Sequence, residues 1–600
     1  MGNFFAIVAA HSLEDEARLL FDSGLQVARR LKNSVRHATD DGLRVASFPR
    51  QNGTGGSIVE DPESGTWLLT LGTWFHPAAL GPGDERGLLQ RYQEIGPVRL
   101  ALELEGFFLV LVGHGRNNEL LVITDVVGSC HAFWRQFPNI VALSGSSLLL
   151  AGLRGCSLDP IAGQEFIHTG IIYQDRTLFS EVRKLAPASV YRFKDGQLKH
   201  TQRYWSPSRL QPERLRGDAA VEMLADSIVA SVGAIARVFP NPVCDLTGGY
   251  DSRAVVAGFA SIGTAFATTV SGPAASGDVS TSKSLATLLQ VPHLHFGEQP
   301  AYSFASAKEA LFFTDGECDL VDYARVLRTH RVLADQFEIS INGSFGELAR
   351  GYWWELLVPR TGKRDRLDGA RLARCRYVPR RVLSSLFRRE LRVDMVPHFA
   401  RVIAQNNADL LETPNTFQMD SAYLGMRMQR WQGRIATSTN RLWPCLSPFL
   451  FKSTLEVILQ TENVLRRRSL MIRKMLRVRH PRLADFPLEH GYPAAPATLR
   501  NLHRFRPLLL HYGTKALRRA GLGQSYESSI QSGGKPARLV LWQEPEVKTL
   551  LEPASMRCAE LFDPDALRAF ITRSQETDFS EDSEWRRLFT LECALAEVQA

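Results

Sequence analysis

Residues 244–253 read CDLTGGYDSR and lie between an apolar, strand-like run and an apolar, helix-like run. Gly248, Gly249, Asp251 and Ser252 each weaken regular structure, so their place at this junction needs another reason. In a parallel sheet, ligands sit at the carboxyl ends of strands, where the next helix begins. Gly248 and Gly249 let backbone N–H groups approach a ligand with no Cβ in the way. Asp251 and Ser252 fall where free N–H groups and the helix dipole favour an anion. Thr247 and Ser252 add hydroxyl donors. Together these residues suit a phosphate or pyrophosphate, with Asp251 able to hold an accompanying Mg2+. A capped helix start after a Gly-Gly turn is the alternative that the stretch alone leaves open. The motif is neither a Walker A loop nor GxGxxG.

The surrounding rhythm supports a parallel sheet. After Asp218, AAVEMLADSIVASVGAIARVF has helical spacing, and Val243–Leu246 reads as a short strand. A helix from Ser252, the strand TAFATTV, a helix from Asp278 and the strands HLHF and FEISIN follow. Alternating strands and helices predict a doubly wound parallel sheet, with a helical remainder to residue 600. Ahead of it the pattern differs. TWLLTLGTWF, GFFLVLVG, ELLVITDVVG, NIVALSG and ASVYRFKDGQLKH read as strands of an antiparallel system, the last turning at Lys194-Asp195-Gly196. Residues 1–205 are thus expected to form one domain, 206–217 a linker and 218–600 a second domain.

A chain of 600 residues exceeds one ordinary core. Its 44% hydrophobic and 22% charged content excludes disordered and fibrous classes. No uninterrupted apolar run is long enough for a bilayer, Phe107–Val112 being the best, and no basic leader precedes it. The eight cysteines are scattered singly without a CxxC pair, which excludes a disulfide framework and a zinc ribbon and fits a reducing cytoplasm. The net charge of +8 gathers at Arg360–Arg392 and Arg466–Arg482. Such runs attract acidic substrates, polyanions or anionic membrane surface, or simply keep a helix face solvated. Aromatics do not interleave as a nucleic-acid groove needs, so nucleic-acid binding is not expected.

LTGGYDSR resembles the SGGxDS pyrophosphate loop of the ATP-pyrophosphatase fold, and the whole chain is similar to the asparagine synthetase family. LEGFFLVLVG, VITDVVG, LSGSSLLLAG and FIHTGIIYQDRTLFSEVRKLAPASVYRFKDGQLKHTQRYW match the family's N-terminal pattern. TTVSG, NGSFGELARGYW, CLSPFL and MIRKMLRVRHPRL follow in family order. The resemblance implies a class II amidotransferase-like αββα sandwich followed by an adenylating domain of ATP-pyrophosphatase type. It implies ATP as cosubstrate and Mg2+ as cofactor. Thr247, Gly248, Gly249, Asp251 and Ser252 would meet the phosphates, Val270 and Ser271 the adenine, and Asp251 and Glu347 the metal.

Departures from the family pattern matter equally. The sequence begins Met1-Gly2-Asn3 where glutamine-using members expose a cysteine, so no glutaminase activity is expected. Thr247 replaces the first loop serine. Arg253 replaces a serine or threonine, either as a cation beside the phosphates or as a helix-surface residue. Asp278 and Lys283 open the next helix, as ligand residues or as an N-cap and a solvated lysine. Gly346 stands where a second metal carboxylate belongs, and Gly343 where a base or orienting residue sits. Glu347 could take over metal duty. The family's catalytic lysine falls at Arg473, beside Lys474, and neighbours on a helix cannot both face one site.

The expected activity is an ATP-dependent carboxylate–amine ligase with Arg473, Lys474 and Glu347 at the reacting centre. A small-molecule or peptide carboxylate and an amine acceptor would be its substrates, as in lasso-peptide cyclases or β-lactam synthetases. A homodimer is possible within the family. The alternative is a non-catalytic or regulatory homologue, motivated by Gly343 and Gly346.

Overall fold

The computed structural model describes residues 2–33, 35, 37–41, 43–50, 58–114, 117–297, 302–378, 383–508 and 536–599. Met1, and residues 379–382 of the basic segment, lie outside them. The chain is a mixed α/β protein with antiparallel sheets in its N-terminal part and a parallel five-stranded sheet beyond.

One antiparallel sheet runs Val182–Lys184, Phe133–Phe137, Ile140–Ser144, Asn3–Ala9, Leu43–Phe48, His37–Asp41. The other runs Gln197–Arg203, Ser189–Lys194, Glu119–Thr124, Glu105–His114, Thr66–Phe75, Val59–Asp61. Successive side chains of a strand point to opposite faces. Accordingly Phe4, Ala6 and Val8 join the core shared with the second sheet, while Phe5 and Ile7 join that of helix Glu14–Arg30. There Phe5 stacks on Phe21 at 5.5 Å. Helix Glu85–Glu103 covers the second sheet's other face with Leu88, Leu89 and Leu100. Thr66–Phe75 is buried on both faces, which explains why TWLLTLGTWF carries no charge and interrupts its apolar residues only with Gly72 and the buried Thr66, Thr70 and Thr73. The expected turn at Lys194-Asp195-Gly196 runs with φ of 51° at Asp195 and 70° at Gly196.

The parallel sheet has the order His293–Phe296, Ala267–Ser271, Pro242–Asp245, Ile339–Ile341, Cys445–Leu446. Chain order therefore reverses between Pro242–Asp245 and Ile339–Ile341, a topological switch point where the loops after both strands diverge and leave a crevice. Helix Gly217–Val238 lies against helices Asp251–Ile262 and Leu470–Arg479. By length and mean hydropathy (1.6) it could cross a bilayer, although no such segment was apparent in the sequence. It carries Asp218, Glu222 and Asp226, and its buried face includes Leu224, Ile228, Val232 and Ile235. All eight cysteines are unpaired.

Candidate functional site

The loop after Pro242–Asp245 leaves the sheet with Leu246 N–H still donating to Thr269 O at 2.8 Å. It then folds on its own side chains. Ser252 Oγ accepts from Thr247 N (3.0 Å) and lies 3.1 Å from Thr247 Oγ1, which in turn accepts from Gly249 N (3.3 Å). Gly248 N donates to Asp278 Oδ1 at 2.8 Å, from the first turn of helix Gly277–Leu289. An amide suited to a phosphate oxygen thus meets a carboxylate of the protein. Glu489 stands beside it, its Cβ 2.8 Å from where a Cβ on Gly248 would lie. Burial and the nearby Asp278 both push the Glu489 carboxyl up.

Glu489 belongs to a strap over the loop. Leu488 N donates to Tyr492 O at 2.8 Å, and Pro487 pairs with Pro493. Two arginines hold this strap. Arg253, fully buried, donates to the carbonyls of Leu483 (3.0 Å), Phe486 (2.7 Å) and Pro487 (3.0 Å). It is not a helix-surface residue: its two terminal nitrogens donate to main-chain oxygens, among them Gly248 O of the loop itself at 3.4 Å, while its Nε is buried without a partner. Arg473 donates to Pro493 O (3.2 Å) and Ala495 O (2.9 Å) and lies over the Tyr250 ring at 5.0 Å. Lys474 points elsewhere, to Asp218 Oδ1 at 2.7 Å.

At the switch point the second loop closes on the first. An ideal Cβ on Gly343 would come within 2.6 Å of Ser252 N, and one on Gly346 within 2.7 Å of Asp251 Cβ. Both glycines are therefore the condition for close packing of the two loops. Arg350 donates to Asp251 Oδ2 at 2.7 Å. Asp251 Oδ1 and Glu347 Oε2 are buried without a hydrogen-bond partner. Burial pushes the Asp251 carboxyl up, Arg350 opposes the rise and Glu347 adds to it. Two orphaned carboxylate oxygens beside each other fit a divalent cation, which usually takes one or two carboxylates and fills its other positions with phosphate and water. No cluster of three or more His, Cys, Asp or Glu side chains able to hold an ion occurs among the described residues.

The remaining predicted residues lie at the periphery. Val270 is buried in the sheet, while Ser271 is exposed at its strand end. Lys283 is exposed one turn beyond Asp278's own turn. Sequence reading missed Arg350, whose partner lies 99 positions away. It also missed Arg468 and Ser469, with consecutive positive φ of 53° and 60° at the start of helix Leu470–Arg479. Paired non-glycine residues of that kind are held only where the surrounding structure compels them. A cavity of about 440 Å³ lies away from the loop, lined at the seam of the two sheet systems by Lys184, Arg203, Trp205, Gln405 and Gln429.

Residues 78–205 match the glutamine amidotransferase domain family. No curated protein matches the chain significantly. Among solved structures, the allosteric regulatory enzyme of purine biosynthesis shares 10% identity, covering 50% of this chain and 82% of its own, at a TM-score of 0.23. Glutamine phosphoribosylpyrophosphate amidotransferase from B. subtilis, complexed with ADP and GMP, shares 10% over 48% and 65%, at 0.22. Overlaps at these scores do not distinguish one architecture from another. The chain thus carries a stretch similar in sequence to a glutamine amidotransferase domain, followed by a parallel sheet whose switch point joins a Gly-Gly loop to two carboxylates that each hold one buried oxygen without a hydrogen bond.

Proposed function

We propose that the chain is an ATP-dependent amide-forming ligase of the asparagine synthetase type, with an αββα amidotransferase-like domain in front. The observation that carries this reading is the pair Asp251 Oδ1 and Glu347 Oε2, buried and without partners at the carboxyl end of a parallel sheet. A buried acceptor left without a donor costs about 1–3 kcal/mol, which favours a ligand for Asp251 Oδ1 and Glu347 Oε2 even with Arg350 paired to Asp251 Oδ2. When bound, Mg2+ would be held by these two carboxylates and would supply neutralising charge for a triphosphate. The Thr247–Gly249 backbone and the Ser252 hydroxyl would orient the phosphates, and the Val270–Ser271 strand end would meet the base. Entry of a triphosphate requires Asp278 and Glu489 to leave Gly248, so the strap doubles as the cover that excludes water.

In the reaction a substrate carboxylate oxygen bonds to the α-phosphorus as the bond to pyrophosphate breaks. An amine then attacks the acyl carbon, loses a proton and expels AMP. The protein contributes position and charge stabilisation. Six of the cysteines are poorly placed to act as nucleophiles: burial pushes up the thiols of Cys130, Cys244, Cys318, Cys445, Cys558 and Cys593. A thiol held protonated is a poor nucleophile.

The test is pyrophosphate release from ATP and Mg2+ across a panel of carboxylates with hydroxylamine as the amine. Release should require Mg2+ and fall at least a hundredfold in Asp251→Asn. Calorimetry showing no ATP binding at millimolar Mg2+ would sink the ligase. One contact favours the second reading, a non-catalytic homologue: the Arg350 guanidinium already neutralises Asp251. Under that reading neither ATP nor Mg2+ shifts the melting temperature.

A further inference from the structure

No residue lining the cavity of about 440 Å³ belongs to the Gly-Gly loop, the strap or the Asp251–Glu347 pair. Its size falls in the range of small-molecule sites, about 300–1,000 Å³. One wall comes from the N-terminal part, through Val126, Val127, Lys184 and Trp205. The other comes from helix Met395–Asn406 and the π-helix Tyr423–Gln432, through Val402 and Met426. Two cations line it, and they differ. Arg203 is exposed and feels the charge of Asp409. Lys184 is only 4% exposed. Its Nζ donates to Gly128 O at 3.1 Å and to Leu185 O at 3.3 Å. An ammonium has three donors, so one is left over. Among the described residues no carboxylate forms an ion pair with it. Asp125 acts on it electrostatically, but has its oxygens committed to the N–H groups of Val127, Ser129 and Cys130. A buried cation without a paired anion is costly, and here it faces open volume.

We propose that this cavity is a second ligand site, separate from the ligase site, for a small apolar monocarboxylate whose head meets Lys184 and whose body lies against Val126, Val402 and Met426. Asp175 and Asp409 line the cavity too and are exposed, so they stand at its mouth and oppose a second negative charge there. A ligand so placed touches both walls of the seam and binds only the folded chain, which it therefore stabilises. The charges around Lys184 agree. Burial pushes its ammonium down to about 7; Arg430 adds to the fall, and Asp125, Glu317 and Cys130 oppose it. Above pH 7 the neighbours that could share the titration are settled. Asp125, pushed up to about 6 by burial, is ionised there, and His131, pushed well below its ordinary range, is neutral. A bound carboxylate favours the protonated amine, so affinity is greatest below pH 7 and falls as pH rises above it.

The full-length protein, without nucleotide, is titrated by calorimetry with octanoate, with its neutral amide and with suberate, which adds a carboxylate at the far end. Octanoate should bind at least tenfold more tightly than either of the others, and its affinity should fall at least tenfold from about pH 7 to about pH 9. Lys184→Met should lose at least tenfold. Val402→Phe keeps the lysine and fills the opposite wall, and it should lose as much, so a folding defect in one variant leaves the other to decide. Absence of octanoate binding at millimolar concentration, equal affinity for acid and amide, tighter binding of suberate, or an affinity indifferent to pH overturns the proposal, as does unchanged affinity in both variants. Because no ATP is present and no residue is shared, failure of pyrophosphate release leaves this result intact, and failure here leaves the nucleotide assay intact.

Discussion

Gly346 has Asp251 Cβ 2.7 Å and Cγ 2.8 Å from where its own Cβ would stand. The family resemblance expects an aspartate there, and a carboxylate would in principle complete a metal site. Packing opposes it. Gly346→Asp should destabilise the fold by about 1–3 kcal/mol through overpacking, with the two acidic groups repelling in a buried place. Urea denaturation measures this, and a variant as stable as the parent would show that the two loops do not pack as described. The sequence showed the substitution but not its reason, since a glycine reads the same whether a site has decayed or two loops have closed. Asp251 was legible from its place after Gly-Gly. Its partner Arg350 was not, because nothing local to FGELARGYW reports a contact across the switch point.

Strands and helices of the parallel sheet were readable because their signal is local: apolar runs of four or five residues, each followed by a helical period. HLHF is the strand His293–Phe296, and TAFATTV holds the strand Ala267–Ser271. The strap was unreadable for the opposite reason. Its hold on the loop depends on Arg253 reaching carbonyls some 230 positions away, at Leu483, Phe486 and Pro487. Arg253→Lys removes the fork and leaves two of those buried oxygens without donors, at about 1–3 kcal/mol each. The expected result is local opening: faster amide exchange at Leu488 and Gly491, whose N–H groups close the strap, with exchange in Pro242–Asp245 unchanged. Equal protection of the strap in parent and variant would show that Arg253 does not fasten it.

At the scale of the molecule, the antiparallel and parallel parts are joined by buried charge as well as apolar surface. Asp315, 1% exposed, accepts from Arg434 at 3.1 Å, from Arg441 at 2.7 Å and from Ser146 Oγ at 2.6 Å. Arg441 also donates to Gly145 O (2.6 Å), and Arg50 reaches across to Asn440 O (2.9 Å). Gly145 and Ser146 follow the strand Ile140–Ser144, whereas the arginines stand on helix Gly433–Leu442, just before Cys445–Leu446 of the parallel sheet. One carboxylate therefore ties the first sheet system to the edge of the second. Removing it leaves Arg441 buried without its counter-ion and Arg434 with only Glu317 at 4.0 Å, a change that costs about 3–5 kcal/mol, well beyond the loss of one hydrogen bond. Asp315→Ala should therefore lower the melting temperature by several degrees. If the junction couples the two parts, calorimetry of the parent gives one cooperative transition and the variant gives two, the parts now melting independently. A variant that melts in one transition at the parent's temperature would place the coupling in the apolar seam instead, and the charge cluster would then fix only the relative orientation of the two sheets.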